Sequence, residues 1–254
     1  MMQERITLRK DIREVISTGN GLLRKLLTSL SPEIRESLLS HAGIREVETG
    51  EVLVGSGQLS TEVGYVIVGT LAMTQVLEHD RKHIVGLLVP TDIYGRIFDG
   101  PSNYQIEALT PSRIVYFPRA RLEEILRQHP EAERLFLVHL LDEMDAAREW
   151  LLLMSGRKVA NRLASFLMIM VRRSRVGTSG APVRLRIPLS RKDLAHYLGT
   201  RPESLSRAFH ELEHQGVLRI LNPYLVEIAD LDTLTDAAGD DLVMETPEDS
   251  TSDL

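Results

Sequence analysis

The chain has 254 residues and no cysteine. That absence excludes a disulfide, a thiolate nucleophile, a cysteine-ligated zinc and an ordinary iron–sulfur cluster. No apolar run approaches the roughly 18 residues needed to span a bilayer, so no membrane partner is expected. Residues Met1–Asn20 are charged throughout and carry no apolar signal-peptide core, which sets a cytoplasmic expectation. Phosphate-cradling glycine loops, H-E-x-x-H and G-x-S-x-G are all missing. The acidic residues show no spacing that forces a catalytic pair, and an enzyme is not expected.

What is present is a globular mixture, 43 % apolar and 26 % charged, long enough for two domains. The net charge of −6 hides a segregation. Residues 157–235 hold 13 Lys and Arg against seven Asp and Glu, whereas residues 236–254 hold seven acids and no base. A locally basic segment permits contact with nucleic acid, because counterion release depends on the face that meets the phosphates. A solvated surface is the plainer explanation of the charge taken alone.

The pattern along the chain changes three times. Leu22, Leu23, Leu26, Leu27, Ile34, Leu38 and Leu39 follow helical spacing, with Ser31-Pro32-Glu33 as a restart signal. From Ile44 the texture becomes short β-rich runs, among them Val52–Val54, Val63–Val68, Leu71–Val76, His83–Val89, Gln105–Leu109 and Arg113–Phe117. Gly50, Gly55, Gly57, Gly64 and Gly69 punctuate them, and Glu78, His79, Asp80, Arg81 and Lys82 form a polar turn. This spacing predicts an antiparallel sandwich or barrel. From Arg119 the period is helical again. Leu137, Leu140, Met144, Ala147, Leu151 and Met154 are spaced 3-4-3-4-3, a heptad seam that predicts a parallel dimer helix. A second amphipathic helix is predicted over Lys158–Arg173, a loop over Ser174–Pro182, and a disordered acidic tail from Asp236.

Residues 191–210 are the most informative. Ser190 is a natural N-cap with Asp193 three residues on. Ala195 is small enough to let a second helix cross closely, and Gly199 sits where the turn needs a positive φ. Pro202 marks the first turn of the second helix, and Leu194, Leu198, Leu205 and Ala208 would share a small core. These features together predict a helix-turn-helix rather than an ordinary helical hairpin. On the second helix Glu203, Ser206 and Arg207 share one face near the N-terminus, the end that enters a major groove. Arg207 suits guanine O6/N7, Glu203 suits cytosine N4, and Ser206 suits a thymine methyl or an acceptor. An exposed Glu203–Arg207 ion pair is the bland alternative. Ser190, Arg191, Thr200, Arg201, Ser204 and His210 are candidates for phosphate contact and positioning. Residues 216–220 and 224–228 flank Leu221-Asn222-Pro223 and predict a strand–turn–strand wing.

A β-roll, a long helix and a winged helix-turn-helix, in this order, resemble the CRP/FNR superfamily of bacterial transcription regulators over roughly residues 22–230. Glu203-Ser204-Leu205-Ser206-Arg207 matches the E-x-x-S-R pattern of the FNR branch. Residues 88–96 and 156–167 are similar to its FnrL/FixK group. The resemblance implies an α+β chain. Its parts are an extension (1–21), an antiparallel β-roll of cyclic-nucleotide-binding type (22–130), a dimerisation helix (131–156), a winged helix-turn-helix (157–235) and an acidic tail (236–254). It implies a homodimer that reads palindromic double-stranded DNA with TTGAT-type half-sites and activates by touching RNA polymerase, with Glu78–Lys82 as contact candidates.

Two departures qualify the resemblance. Cyclic-nucleotide members carry Gly-Glu and a later Arg-Ser/Thr pair, but here Arg96 follows Gly95 and the pair is missing between 96 and 115. FNR itself senses oxygen through a four-cysteine cluster, which this chain cannot build. No cofactor is therefore expected, and output would follow the protein's abundance or its competition with a cluster-bearing relative for the same sites. Two alternatives stay open. One is gating by haem or a small apolar ligand, although His41, His79, His83, His129 and His139 show no ligand spacing. The other is a ligand-binding signalling module without DNA readout.

Overall fold

The structure is a computed structural model that describes residues 22–77, 81–98, 100–154, 158–174 and 182–239. The expectations for residues 1–21, for Glu78, His79 and Asp80, and for the acidic stretch 240–254 lie outside the described residues. The chain divides between Trp150 and Leu151 into two compact units.

The first unit opens with helices α1 (Leu22–Ser29) and α2 (Pro32–Ser40). Ser31 caps α2 by accepting the Ile34 N–H, and Pro32 occupies the first turn, where its missing N–H costs nothing. Eight strands follow: β1 (Gly43–Val47), β2 (Val52–Val54), β3 (Glu62–Val68), β4 (Leu71–Leu77), β5 (Arg81–Leu88), β6 (Ile93–Tyr94), β7 (Gln105–Ala108) and β8 (Ser112–Pro118). They form two antiparallel four-stranded sheets, ordered β1-β8-β3-β6 and β2-β7-β4-β5. Helices α3 (Arg119–Gln128) and α4 (Pro130–Met154) complete the run.

The first sheet is covered on both faces. On one side Val63, Tyr65, Val115 and Phe117 meet Leu23, Leu26, Leu27, Leu126 and Phe136 of the helices. On the other, Val66 and Ile114 meet Val54, Leu71, Tyr94 and Ile106 of the roll interior. This is why β3 and β8 read as nearly continuous apolar runs and not as alternating ones. Strand β5 starts at Arg81, so Arg81 and Lys82 belong to the ladder, opposite Leu77 and Val76, and not to the turn expected at 78–82. Lys82 Nζ lies 2.7 Å from Glu107 Oε2, which ties that residue to β7.

Among the five glycines read as punctuation, Gly50, Gly57 and Gly69 do turn the chain, with φ of 88°, 75° and 95°. Gly64 is different. It lies inside β3, opposite Tyr94, and the Tyr94 ring occupies the space a β-carbon would take. The Tyr94 hydroxyl donates to Glu62 Oε1 at 3.2 Å, and Arg45 pairs with the same carboxylate. Burial, reinforced by the Glu62 charge, pushes the Tyr94 phenol far above its ordinary value, so it stays a donor.

The second unit contains α5 (Val159–Ser174), β9 (Val183–Arg186), α6 (Arg191–Tyr197), α7 (Pro202–His214), β10 (Leu218–Asn222), β11 (Leu225–Ile228) and α8 (Leu231–Ala238). The strands form one antiparallel sheet, ordered β10-β11-β9. Two elements have no counterpart among the expected ones. Strand β9 follows the predicted loop. Helix α8 runs through residues 236–238, which their charge assigns to the acidic tail. Asp230 caps α8 by accepting the Thr233 N–H at 2.8 Å, and Leu234 and Ala238 are fully buried. Asn161 Nδ2 donates to Ala237 O at 2.9 Å, fastening the end of α8 to α5. Burial of its apolar stripe outweighs the acidity of Asp232 and Asp236.

Gly64→Ala should force Tyr94 from its place. The expected cost is about 1–3 kcal/mol, typical of overpacking, read as a lowered unfolding midpoint with the helix-turn-helix unit unaffected.

Candidate nucleic-acid interface

The site is built on α6 and α7. Ser190 Oγ accepts the Asp193 N–H at 3.1 Å, which starts α6. Leu194 and Ala195 have no exposed surface, nor does Leu205 on α7, so the two helices cross in contact. Gly199 turns the chain with φ +61°, and the Thr200 N–H closes the turn on Ala195 O at 2.8 Å. An L-residue is strained at that φ, which explains glycine there. Pro202 begins α7, and Leu205, Ala208, Phe209 and Leu212 form its buried face.

That burial pattern decides what the other face presents. Glu203, Ser206, Arg207, Arg201 and His210 are exposed, and Ser204, Thr200, Arg191 and Ser190 are half-buried. Glu203 and Arg207 do not pair with each other. Arg207 Nη2 instead donates to Ser204 Oγ at 3.3 Å, a neutral contact that leaves the guanidinium charge uncompensated by that partner. His210 Nδ1 lies 3.5 Å from Glu213 Oε2. Glu213 Oε1 accepts the Ile220 N–H at 2.8 Å, so the end of α7 holds the start of the wing. That backbone bond, helped by His210, keeps the Glu213 carboxyl below the usual range. The wing is the β10–β11 hairpin, with Tyr224 about half exposed at its tip.

Several contributors have no local signal in the sequence. Arg191 lies with its Cζ 3.3 Å from the centre of the Phe209 ring, across 18 positions of chain. Arg162 on α5 reaches Gly199 O at 3.5 Å and steadies the turn. On the outward face of the sheet, Arg184 and Arg219 both pair with Glu227, at 3.0 and 2.7 Å. Hydrogen bonding from Arg184, with the charge of Arg219, holds the Glu227 carboxyl below its ordinary value.

Elsewhere, α4 displays the expected seam on its surface. Leu137, Leu140, Met144 and Leu151 are 52, 43, 49 and 69 % exposed, joined by Leu141 at 58 %. Ala147 is exposed as well, and the side chain of Met154 lies outside the described residues. Among the described residues no group of three or more acidic or histidine side chains could hold a metal ion. No helix among them is long and apolar enough to cross a membrane.

A half-open cavity of about 360 Å³ lies between the β-roll and α4. Its buried walls are Leu88, Tyr94, Ile106, Phe136 and the polar Ser102. Arg96 lines it but is exposed, and the one lining carboxylate, Glu143, stands exposed on α4. A cyclic nucleotide needs a sheltered cation for its phosphate and an acceptor for its ribose hydroxyl. The buried lining holds no cation, and its two hydroxyls are already engaged, Tyr94 with Glu62 and Ser102 with the Tyr104 backbone. These residues do not fit a cyclic nucleotide.

Comparison with known proteins agrees with this geometry. Residues 161–237 match the Crp-like helix-turn-helix domain and residues 44–129 the cyclic nucleotide-binding domain. The transcriptional activator protein FnrL of Cereibacter sphaeroides is 34 % identical over 200 residues, covering 78 % of this chain and 81 % of that protein. A probable transcriptional activator of Rhizobium leguminosarum bv. viciae is 33 % identical, covering 80 % and 83 %. The structure of FixK2 from Bradyrhizobium japonicum superimposes with a TM-score of 0.70 at 23 % identity, covering 78 % of this chain and 98 % of the other, a likeness of fold. The class is a DNA-binding regulator of the helix-turn-helix kind, with DNA as its partner. More narrowly, the chain belongs to the CRP/FNR family of transcription regulators, with its relatives in the FNR and FixK branch.

Ser190→Ala removes the α6 cap. The expected loss is about 1 kcal/mol, measured by denaturant unfolding.

Proposed function

We propose that the protein is a cytoplasmic homodimeric activator that reads an FNR-type palindrome through Glu203, Ser206 and Arg207. One observation carries this reading: those three side chains stand exposed on a single face of α7, while the opposite face is buried in the helix-turn-helix core. Arg207 pairs with guanine, Glu203 accepts from cytosine, and Ser206 meets a thymine methyl or acceptor. Ser190, Arg191, Thr200, Arg201, Ser204 and His210 surround that face and contact phosphate. The names of the relatives, activators among them, support activation.

The exposed seam of α4 supports dimerisation. A stripe of Leu137, Leu140, Met144, Ala147 and Leu151 left in water is unfavourable, and a parallel partner helix would cover it. Two-fold symmetry then matches the mirror symmetry of the operator, with half-sites about one helical turn apart. Residues 78–82 remain the proposed contact with RNA polymerase, although Lys82 is partly engaged by Glu107. The protein needs neither a cyclic nucleotide nor an iron–sulfur cluster, the first because the cavity does not suit it, the second because cysteine is missing. The apolar walls of the same cavity favour a second reading, in which a small apolar ligand gates the dimer.

In a salt-titrated gel shift, the purified chain should bind a TTGAT…ATCAA duplex without added ligand and ignore a scrambled duplex. Binding that appears only with a small molecule would select the second reading. Arg207→Ala should cost about 1–3 kcal/mol and relax discrimination at one base pair per half-site. Leu140→Glu with Met144→Glu should shift sedimentation from dimer to monomer and abolish operator binding, leaving the far-ultraviolet spectrum intact.

A further inference from the structure

Arg191 is in an unusual position for a cation. It is the first residue of α6, half-buried, and its guanidinium carbon lies over the ring of Phe209, 3.3 Å from its centre. Its Nη1 is buried without a hydrogen-bond partner, and no acidic side chain among the described residues pairs with it. Desolvation alone pulls its ionisation down, to about 10, so it remains charged at neutral pH. A folded protein rarely keeps a partly desolvated charge with only an aromatic face to stabilise it. Because the residue as a whole is only half-buried, an anion arriving from outside can still reach the side chain and compensate its charge. Phe209 is itself 1 % exposed and belongs to α7, two residues beyond Arg207 and directed into the core. The ring therefore ties the orientation of a cation on α6 to the helix that carries the base-facing side chains.

We propose that Phe209 is a positioning residue: its ring face holds the Arg191 guanidinium rigid, so that Arg191 grips a DNA phosphate in a fixed relation to Glu203, Ser206 and Arg207. This rests on the DNA-reading function proposed above and assigns to Phe209 a role beyond core packing. The planar guanidinium suits such a stack, and the point charge of a lysine on a flexible stem does not. A pre-oriented side chain gives up less freedom on binding than a mobile one.

The test uses the full chain and the palindromic duplex, with affinity followed against salt concentration and unfolding midpoints measured alongside. Removing the charge in Arg191→Met should lower affinity on the order of tenfold, as loss of a charged hydrogen bond would. It should also flatten the log–log salt slope by about one for each phosphate no longer neutralised, or about two per dimer. Arg191→Lys keeps the charge and should still fall with Arg191→Met, away from wild type. Phe209→Leu should weaken binding in the wild-type background but have little further effect in the Arg191→Met background. Three results would overturn the proposal: wild-type behaviour of Arg191→Lys, an unchanged salt slope in Phe209→Leu, or equal losses from Phe209→Leu in both backgrounds, the mark of a loosened core. Should Phe209→Leu fail to fold, the Lys and Met variants decide alone. A wild-type chain that binds no palindrome overturns this proposal and the regulator reading together, whereas the other outcomes leave that reading standing.

Discussion

The close crossing of α6 on α7 is the constraint on which the second unit depends. Ala195, Leu194 and Leu205 are wholly buried, and the chain between the helices has only a few residues in which to reverse. A larger residue at 195 would part the helices, and a β-carbon at 199 would strain a φ of +61°. With the crossing set, the outward direction of Glu203, Ser206 and Arg207 follows, since a helix buried on one face has only the opposite face to offer. The surrounding contacts reinforce the same geometry from three sides. Ser190 starts α6, Arg162 steadies the turn, and Glu213 ties the end of α7 to the wing.

The β-roll obeys a different logic. Its first sheet is covered by helices outside and by the second sheet inside, so its strands carry apolar residues in both directions. The interior is filled in part by Tyr94, which fits because residue 64 has no side chain. Tyr94 brings a hydroxyl into a dry place, and the Glu62–Arg45 pair satisfies it. In the cavity beside Tyr94 the lining cation, Arg96, is exposed, and the buried hydroxyls of Tyr94 and Ser102 are already engaged.

Much of this was legible along the chain, and the legible parts share a cause. Caps, turns and helix starts are set by neighbours within four residues, so Ser31, Ser190, Gly199 and Pro202 announced their roles directly. The heptad seam of α4 was visible because its period matches the helix. Other features were readable in principle. Val183-Arg184-Leu185-Arg186 alternates with period two, and the structure buries Val183 and Leu185 while exposing both arginines, yet the stretch is too short to stand out beside a polar loop. The acidity of 236–254 masked the apolar stripe Leu231, Leu234 and Ala238, whose value depends on α5 being there to cover it.

Composition, spacing and local capping were therefore enough to determine the succession of a helical, a β-rich and a helical region, the helix-turn-helix and the absence of cysteine chemistry, because each depends on residues close together in the chain. Which partner a side chain takes was decided only by the tertiary structure. Arg207 meets Ser204 and not Glu203, Lys82 meets Glu107 across the intervening strand β4, and Arg191 lies over a ring 18 positions away. Such pairings depend on distances that the folded backbone alone creates, and no periodicity in the sequence encodes them.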